Sequence, residues 1–309
     1  MKKRVWLVLL AAVLVFVLAA CGNRGGGSGS GSGELTITVG SKDNTENHLI
    51  GEMYALILED MGIKVNRKLS LGGTAPTFEA LRKGDLDLYP EYTGTGLLVM
   101  LEQKEPEKDP VVALEKVREG FKQWDLVWLD AAPLNSTYGF AMKKETAEKY
   151  GIKTITDLAE HSKELVLSYP QEFDVREDGL PGLQKHFKDK GGFQFKRQFQ
   201  IDYSLRYKPL ENNEADVTVS VGTDGQIAGM NLQLLEDDIG FFPVYNVAPL
   251  IRKEKLDARP DIADRLNALS KLLTDQVMQT LNWKVDGPEK REIEDVAKEF
   301  LVENGLIKG

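Results

Sequence analysis

Cysteine and histidine are scarce in this chain of 309 residues, which contains one cysteine and three histidines. A single thiol forms no internal disulfide and supplies no zinc or iron–sulfur site made of several thiolates. The histidines, His48, His161 and His186, lie far apart and form no HExxH pair for a metal ion. The phosphate loop GxxxxGK and the nucleophile elbow GxSxG are also missing. The sequence therefore predicts a protein that is not an enzyme and that uses no cofactor or metal.

Positive charge is in deficit, since 39 Lys and Arg residues face 48 Asp and Glu residues and the formal net charge is −9. Such a chain lacks the cationic surface that neutralises phosphates, so no nucleic-acid partner is expected. With 42% hydrophobic residues, 12 prolines and 29 glycines, the composition is typical of a folded protein rather than a disordered or collagen-like one. The length admits one large domain or two of medium size.

The longest hydrophobic run covers residues 5–20 and is shorter than the ~20 apolar residues that a membrane-spanning helix needs. It follows three basic residues at positions 2–4, which predicts a signal peptide over residues 1–20. The segment LAAC at residues 18–21 resembles the lipobox of bacterial lipoproteins, which are cleaved before a cysteine that is then lipidated. We therefore expect lipidation at Cys21, and two acyl chains suffice for stable anchoring. An uncleaved N-terminal anchor is the alternative.

Glycine and serine dominate residues 21–33, which predicts a flexible tether without a core. The folded part is expected to begin near Glu34. These features predict a protein that lies at the extracytoplasmic face of the cell membrane and is held there by its lipid anchor.

Strand and helix patterns alternate along the first part of the folded region, which predicts a parallel α/β sheet. Thr45 is the predicted cap of the first helix. The expected strands cover residues 35–39, 65–69, 86–89 and 127–129, and the expected helices cover residues 46–61, 77–83 and 110–124.

A second α/β unit is expected over residues 140–245, with strands at 165–168 and 216–221 and a helix at 180–186. Residues 260–307 follow a helical pattern with Asp261 as the predicted cap, and we expect these helices to return to the first unit. A ligand would lie in the crevice beyond the carboxyl ends of the strands.

Residues 78–96 align without gaps with residues 207–225, which suggests an internal repeat. Both segments run from a helix end through an aspartate and an apolar strand into a loop rich in glycine and threonine. The alignment makes Tyr92 and Val221 equivalent strand-end residues, which we expect to face each other across a cleft.

Several tyrosines stand in predicted loops, among them Tyr92, Tyr138 and Tyr245. Aromatic faces attract cations, so rings gathered around one point suit a quaternary ammonium group, which donates no hydrogen bond. The alternative is that each ring only packs within its own lobe.

Six segments, taken as a set, resemble the glycine betaine/choline/carnitine-binding proteins of osmoprotectant ABC transporters. The resemblance runs from Val39 to the C-terminus in order. The segments are GSKDNTE (40–46), LGGT (71–74), YPEYTGT (89–95), REDGLPGL (176–183), TDG (223–225) and LEDD…FPVY (235–245).

The resemblance implies a two-lobed α/β periplasmic-binding-protein fold of type II with the ligand cleft between its lobes. Lobe 1 would comprise residues 34–138 and 246–309, and lobe 2 residues 139–245. It also implies the following site residues: Tyr92, Tyr138 and Tyr245 as an aromatic cage, Lys42, Thr95 and Arg176 as carboxylate-binding residues, and Asn44, Thr74 and Val221 as pocket-wall candidates. Arginine, lysine and threonine suit a carboxylate because they offer charged or hydroxyl donors.

Val221 and Asn44 stand where the family usually has aromatic residues. The sequence therefore predicts either weaker binding of a trimethylammonium group or a pocket shaped for a bulkier betaine, such as carnitine or ergothioneine. The expected function is capture of a quaternary ammonium osmoprotectant by a monomeric lipoprotein that delivers it to an ABC permease. The alternatives are a sensor or adhesion lipoprotein of the same fold and, with least support, a hydrolase that uses the carboxylates of residues 236–238.

Overall fold

A computed structural model describes residues 35–309, and the predicted signal peptide, Cys21 and the tether lie outside the described residues. In the first part of the chain the elements are β1 (Thr36–Gly40), α1 (Thr45–Asp60), β2 (Lys64–Lys68), α2 (Thr74–Lys83), β3 (Leu88–Tyr92), α3 (Pro110–Gly120) and β4 (Leu126–Trp128). The middle part contains β5 (Tyr138–Lys143), α4 (Lys144–Tyr150), α5 (Ile155–His161), β6 (Val166–Pro170), α6 (Leu180–His186), β7 (Arg197–Ile201), α7 (Lys208–Glu211), β8 (Val217–Val221), α8 (Gly225–Gly229) and β9 (Leu232–Leu234). The last part contains β10 (Val247–Arg252), α9 (Lys253–Ala258), α10 (Asp261–Ser270), α11 (Asp275–Asp286) and α12 (Ile293–Glu303), and short helical turns join several of these elements.

The strands form two five-stranded sheets, in the orders β2-β1-β3-β10-β4 and β7-β6-β8-β5-β9. We call each sheet with its covering helices a lobe, and the first lobe is the one that contains β1. In the first lobe, α1 and the C-terminal helices cover one face of the sheet, whereas α2 and α3 cover the other. Within the described part of the chain, no helix has both the length and the apolar character to cross a membrane.

The predicted strands of each sheet run in the same direction, as expected, but each sheet also contains one strand that was not predicted and that runs against its neighbours. β10 is antiparallel to β3 and β4, and β5 is antiparallel to β8 and β9. The register explains the direction: Val247 at the start of β10 pairs with Tyr92 at the end of β3, and Tyr138 at the start of β5 pairs with Val221 at the end of β8. A strand that enters a sheet where its neighbours end must run in the opposite direction.

The internal repeat is confirmed in three dimensions. β3 and β8 occupy the same central place in their sheets, and each lies between one parallel and one antiparallel neighbour. The aspartates before the two strands make the same contact, since Asp87 accepts a hydrogen bond from the Thr38 N–H at 2.8 Å and Asp216 accepts one from the Val166 N–H at 2.8 Å. Tyr92 and Val221 are therefore equivalent last residues of central strands.

Two predicted helix caps are wrong. The cap of α1 is Asn44, whose side chain accepts a hydrogen bond from the Asn47 N–H at 2.9 Å, because Asn44 has the extended backbone that an N-cap needs. Thr45 instead donates to Asp286 at 2.7 Å. At α10 the cap position is Pro260, which has no capping side chain, and Asp261 is the first helical residue.

The C-terminal helices pack on α1 of the first lobe, as predicted, but α11 also contacts the second lobe. The Asn282 side chain donates to the Thr223 carbonyl at 3.0 Å, and the Gln279 side chain donates to the Gly222 carbonyl at 2.8 Å. The Trp283 ring lies so close to α8 that a methyl group added at Gly229 would come within 2.2 Å of it. Helix α11 is thus an additional connection between the lobes, which the sequence analysis did not predict.

Candidate functional site

A small cavity of about 70 Å³ lies between the two lobes, beside the strand ends Tyr92 and Val221. The structure brings all nine predicted binding residues to its wall. They are Lys42, Asn44, Thr74, Tyr92, Thr95, Tyr138, Arg176, Val221 and Tyr245. These residues come from both lobes, and their contact with a ligand stays a prediction.

The three predicted cage tyrosines differ in their surroundings. Tyr138 and Tyr245 form an edge-to-face pair with ring centroids 5.6 Å apart. Tyr92 stands apart, and its hydroxyl donates to Glu46 at 2.8 Å. Burial raises the pKa of Tyr92 and Tyr138 above the usual range, so both phenols are protonated at neutral pH. All three rings line the cavity, and their role as a cage stays a prediction.

Lys42 follows β1 and is almost fully buried, with 5% of its surface exposed. Its ammonium group donates to Glu91 at 2.6 Å and to the Thr74 hydroxyl at 3.1 Å. The Lys42 nitrogen is also 5.4 Å from the centroid of the Tyr92 ring. The positive charge of Lys42 therefore already has a carboxylate partner within the protein.

Arg176 is equally enclosed and forms a network with two carboxylates. It donates to both oxygens of Asp178, at 2.8 and 2.6 Å, and to Glu172 at 3.1 Å. It also donates to the Tyr245 hydroxyl at 3.1 Å, and that hydroxyl donates in turn to Asp178. Burial opposes the charge on Arg176, but the carboxylates of Asp178 and Glu172 raise its pKa above the usual value, so the guanidinium remains charged.

Glu172 completes this charged side of the cavity. It accepts hydrogen bonds from Arg176 and from the Thr74 hydroxyl, the latter at 2.9 Å. Burial favours its neutral form, but the nearby charges of Lys42 and Arg176 outweigh burial and lower its pKa. Glu172 is therefore ionised at neutral pH, and it lies between the two cations that the resemblance assigns to a ligand carboxylate.

The cavity wall also contains residues to which the sequence analysis gave no role. Tyr203, from a short helical turn, adds a fourth ring to the wall, and the Arg206 guanidinium lies 4.0 Å from its centroid. Arg206 pairs with Asp224, which also accepts hydrogen bonds from the Tyr207 hydroxyl at 2.5 Å and the Val221 N–H at 2.9 Å. Asp224 belongs to the TDG segment (223–225), one of the six that resemble the family, so the sequence could have identified it as a site residue. No sequence pattern pointed to Tyr203.

Glu46, in the first turn of α1, is the most unusual of these added residues. It lines the cavity, is 6% exposed and accepts hydrogen bonds from Tyr92 at 2.8 Å and from Asn282 at 3.4 Å. Burial is the main cause that raises the pKa of Glu46, and the charge of Asp224 raises it further. Its place in the GSKDNTE segment was the available sequence signal.

The family model of the substrate-binding domain of ABC-type glycine betaine transport systems (OpuAC) matches residues 35–303. The ergothioneine transport permease/ergothioneine binding protein EgtU of Helicobacter pylori is 36% identical over 88% of this chain, and the chain spans about half of that relative, 48% of its length. The carnitine transport binding protein OpuCC of Listeria monocytogenes is 34% identical over 89% of this chain and 88% of its own length.

A solved structure described as a glycine betaine/carnitine/choline ABC transporter is 33% identical and superposes with a TM-score of 0.72, covering 87% of this chain and 99% of that one. This agreement fits the two sheets and the cleft between them, which are those of a two-lobed periplasmic-binding-protein fold. The chain belongs to the family of substrate-binding domains of ABC-type glycine betaine transport systems.

Proposed function

We propose that this protein captures a betaine-type quaternary ammonium solute between its lobes and delivers it to the permease of an ABC importer. One observation carries the proposal: nine residues that are scattered along the sequence converge on a single cavity with tyrosine rings in its wall. Tyrosine faces attract a quaternary ammonium group through their quadrupoles and need no hydrogen bond from it.

In this proposal Tyr92, Tyr138 and Tyr245 surround the ligand's cation, and Lys42, Thr95 and Arg176 hold its carboxylate. The internal ion pairs of Lys42 and Arg176 leave room for this role, because each side chain has one N–H without a partner among the described residues. Asn44, Thr74 and Val221 form the remaining wall.

The residues of the wall also bear on which size of betaine the protein binds. Val221 gives the cavity a small side chain at the strand end that is equivalent to Tyr92, and Asn44 is small and polar, so we infer that the two positions admit a betaine larger than glycine betaine when the lobes open from the present cavity of about 70 Å³. The similarity to binding proteins named for ergothioneine and carnitine supports the same choice.

A calorimetric screen with glycine betaine, proline betaine, choline, carnitine and ergothioneine tests the proposal. At least one compound should bind, and its analogue with an unmethylated amino group should bind more weakly, because ring faces can replace the water around a methylated ammonium group but accept N–H groups poorly. Tyr138→Leu should weaken binding about 2- to 30-fold, the value of one cation–π contact, whereas Tyr150→Leu on α4, outside the cavity, should not. Failure of every compound to bind would overturn the proposed function.

Transport and sensing are separated by uptake. Cells that lack this protein should lose uptake of the identified ligand if it serves an importer, and should keep it if the protein is only a sensor.

We further propose that the protein is a monomeric lipoprotein with a signal peptide over residues 1–20, a lipidated Cys21 and a tether over residues 21–33. Lobe 1 is assigned to residues 34–137 and 246–309, and lobe 2 to residues 138–245, because Tyr138 pairs with Val221 in the second sheet and so belongs to lobe 2 rather than lobe 1. Cys21→Ala should release the protein from the membrane fraction, and mass spectrometry of the mature N-terminus should find the acylated cysteine. An unmodified Cys21 would overturn this assignment.

A further inference from the structure

The described residues contain six buried carboxyl groups, and five of them have a lysine or arginine within 4.0 Å. The paired groups are Glu52, Asp87, Glu91, Asp178 and Asp224. Among residues 35–309, Glu46 is the buried carboxyl group without such a partner, and it lines the cavity between the lobes.

Only neutral groups hold Glu46 in place. Its oxygens accept hydrogen bonds from the Tyr92 hydroxyl and the Asn282 amide, and the hydroxyls of Ser136 and Thr223 contribute as well. These donors orient a carboxylate but do not cancel its charge. The N-terminal turn of α1 supplies a weak attraction for a negative group. A buried charge that has no counter-ion is unfavourable, so the Glu46 carboxyl group calls for a cation or for a proton.

We propose that Glu46 is the counter-ion of the ligand's positive group, and that it gives up a proton to solvent when the ligand binds. This inference rests on the proposed function, and it makes a permanent positive charge the property that the site requires of its ligand. The Tyr92 hydroxyl joins the two features, because a cation that lies on the Tyr92 ring is close to the carboxylate that this hydroxyl contacts.

Burial and the charge of Asp224 favour the protonated form of Glu46, and they outweigh the hydrogen bonds from Thr223, Tyr92 and Ser136, which lower its pKa. Asp224, ahead of α8, repels its negative charge, while Tyr92 on β3 and Tyr203 of the second lobe are neutral phenols at neutral pH. Asp286 on α11 contacts the adjacent Thr45, and Arg206 is occupied by Asp224. Burial therefore raises the pKa of Glu46 above its usual value.

The direction of the pH effect follows. A bound cation lowers the pKa of Glu46, so binding releases a proton at pH values between the liganded and the unliganded pKa. Ligand affinity should rise with pH across that interval and become level above it.

Calorimetry of ligand binding in two buffers of different ionisation enthalpy counts the released protons. The probes are glycine betaine, choline, carnitine and ergothioneine, titrated at several pH values from about 5 to 8, a range chosen above the ordinary carboxyl pKa. The wild type should release up to one proton per bound ligand in the lower part of this range.

Glu46→Gln keeps the shape of the side chain and should abolish proton release. It should also weaken binding above the transition roughly 10- to 50-fold, as expected for unit charges roughly 7 Å apart at an effective dielectric constant of about 20 to 40. Glu59→Gln is the matched control, because Glu59 is on the same helix, far from the cavity and paired with Arg67. It should leave both the affinity and the proton count unchanged.

Two kinds of failure are distinguishable. Binding of the probes without proton release from about pH 5 to 7, or equal affinities of the wild type and Glu46→Gln, would overturn the role of Glu46 and leave the proposed function intact. If no probe binds to the wild type, both fail together. The proton count of the wild type needs no variant, so it decides the matter even if Glu46→Gln does not fold.

Discussion

Replacing Lys42 by methionine should lower both the thermal stability and the ligand affinity, and a second substitution at Glu91 separates the two effects. In the folded protein Lys42 and Glu91 form a buried ion pair at 2.6 Å, with 5% and 0% of their surfaces exposed. Without the ammonium group, Glu91 keeps only the neutral donors Tyr89 O–H and Tyr92 N–H, at 2.8 and 2.7 Å. Its charge then remains buried without a counter-ion.

Breaking a buried ion pair on one side costs about 3–5 kcal/mol of unfolding free energy. At ~2–4 °C per kcal/mol for a large domain, Lys42→Met should lower the melting temperature by roughly 6–20 °C. Lys42→Met/Glu91→Gln should recover most of that loss, because replacing both members of a buried pair by neutral residues is often close to neutral.

Ligand affinity should not recover in the double variant. If the free N–H of Lys42 reaches the ligand's carboxylate, its loss removes a charge-assisted hydrogen bond of about 1.5–3 kcal/mol, which corresponds to roughly 10- to 150-fold in affinity. Choline has no carboxylate and serves as the control ligand, whose affinity the double variant should retain. Differential scanning calorimetry and isothermal titration on the three proteins measure both quantities. A double variant that binds carnitine or glycine betaine as tightly as the wild type would show that Lys42 serves only the fold.

Three further outcomes are expected. Val221→Tyr should tighten binding of a small betaine by about 2- to 30-fold through an added ring, and it should weaken binding of a bulky betaine by a steric clash. Unchanged affinities for both ligands would place Val221 outside the site. Gly229→Ala should cost about 1–3 kcal/mol, because its methyl group would press on the Trp283 ring, and an unchanged melting temperature would contradict the packing of α11 on α8. Glu46→Gln should stabilise the ligand-free protein, and the gain should grow as the pH rises from the pKa of Glu46 in the unfolded chain to its raised pKa in the folded protein. The wild type loses stability across that interval because its folded state binds more protons than its unfolded state. Melting curves of the two proteins that stay parallel with pH would refute this.

Local patterns in the sequence were sufficient for most elements of the fold. The alternation in β1 and the apolar runs of β3 and β8 predicted strands, and the helical pattern predicted α1 to within one residue at its C-terminal end. The repeat of residues 78–96 in residues 207–225 correctly made Tyr92 and Val221 equivalent, because the two strands end in the same way at the same place in their sheets. The motifs that the chain shares with its family named nine residues, and all nine line one cavity.

Tertiary structure alone decided how the strands run, where α11 packs and which charges are compensated. The antiparallel direction of β5 and β10 follows from the point at which the chain enters each sheet, which depends on residues far away in the sequence. Ion pairs have the same origin: Lys42 meets Glu91 and Arg176 meets Asp178, whereas Glu46 meets only neutral donors. Whether a carboxyl group needs a counter-ion depends on its burial and on every charge within a few ångströms of it. In this protein the neighbouring charges come from both lobes and from α11, which contacts both.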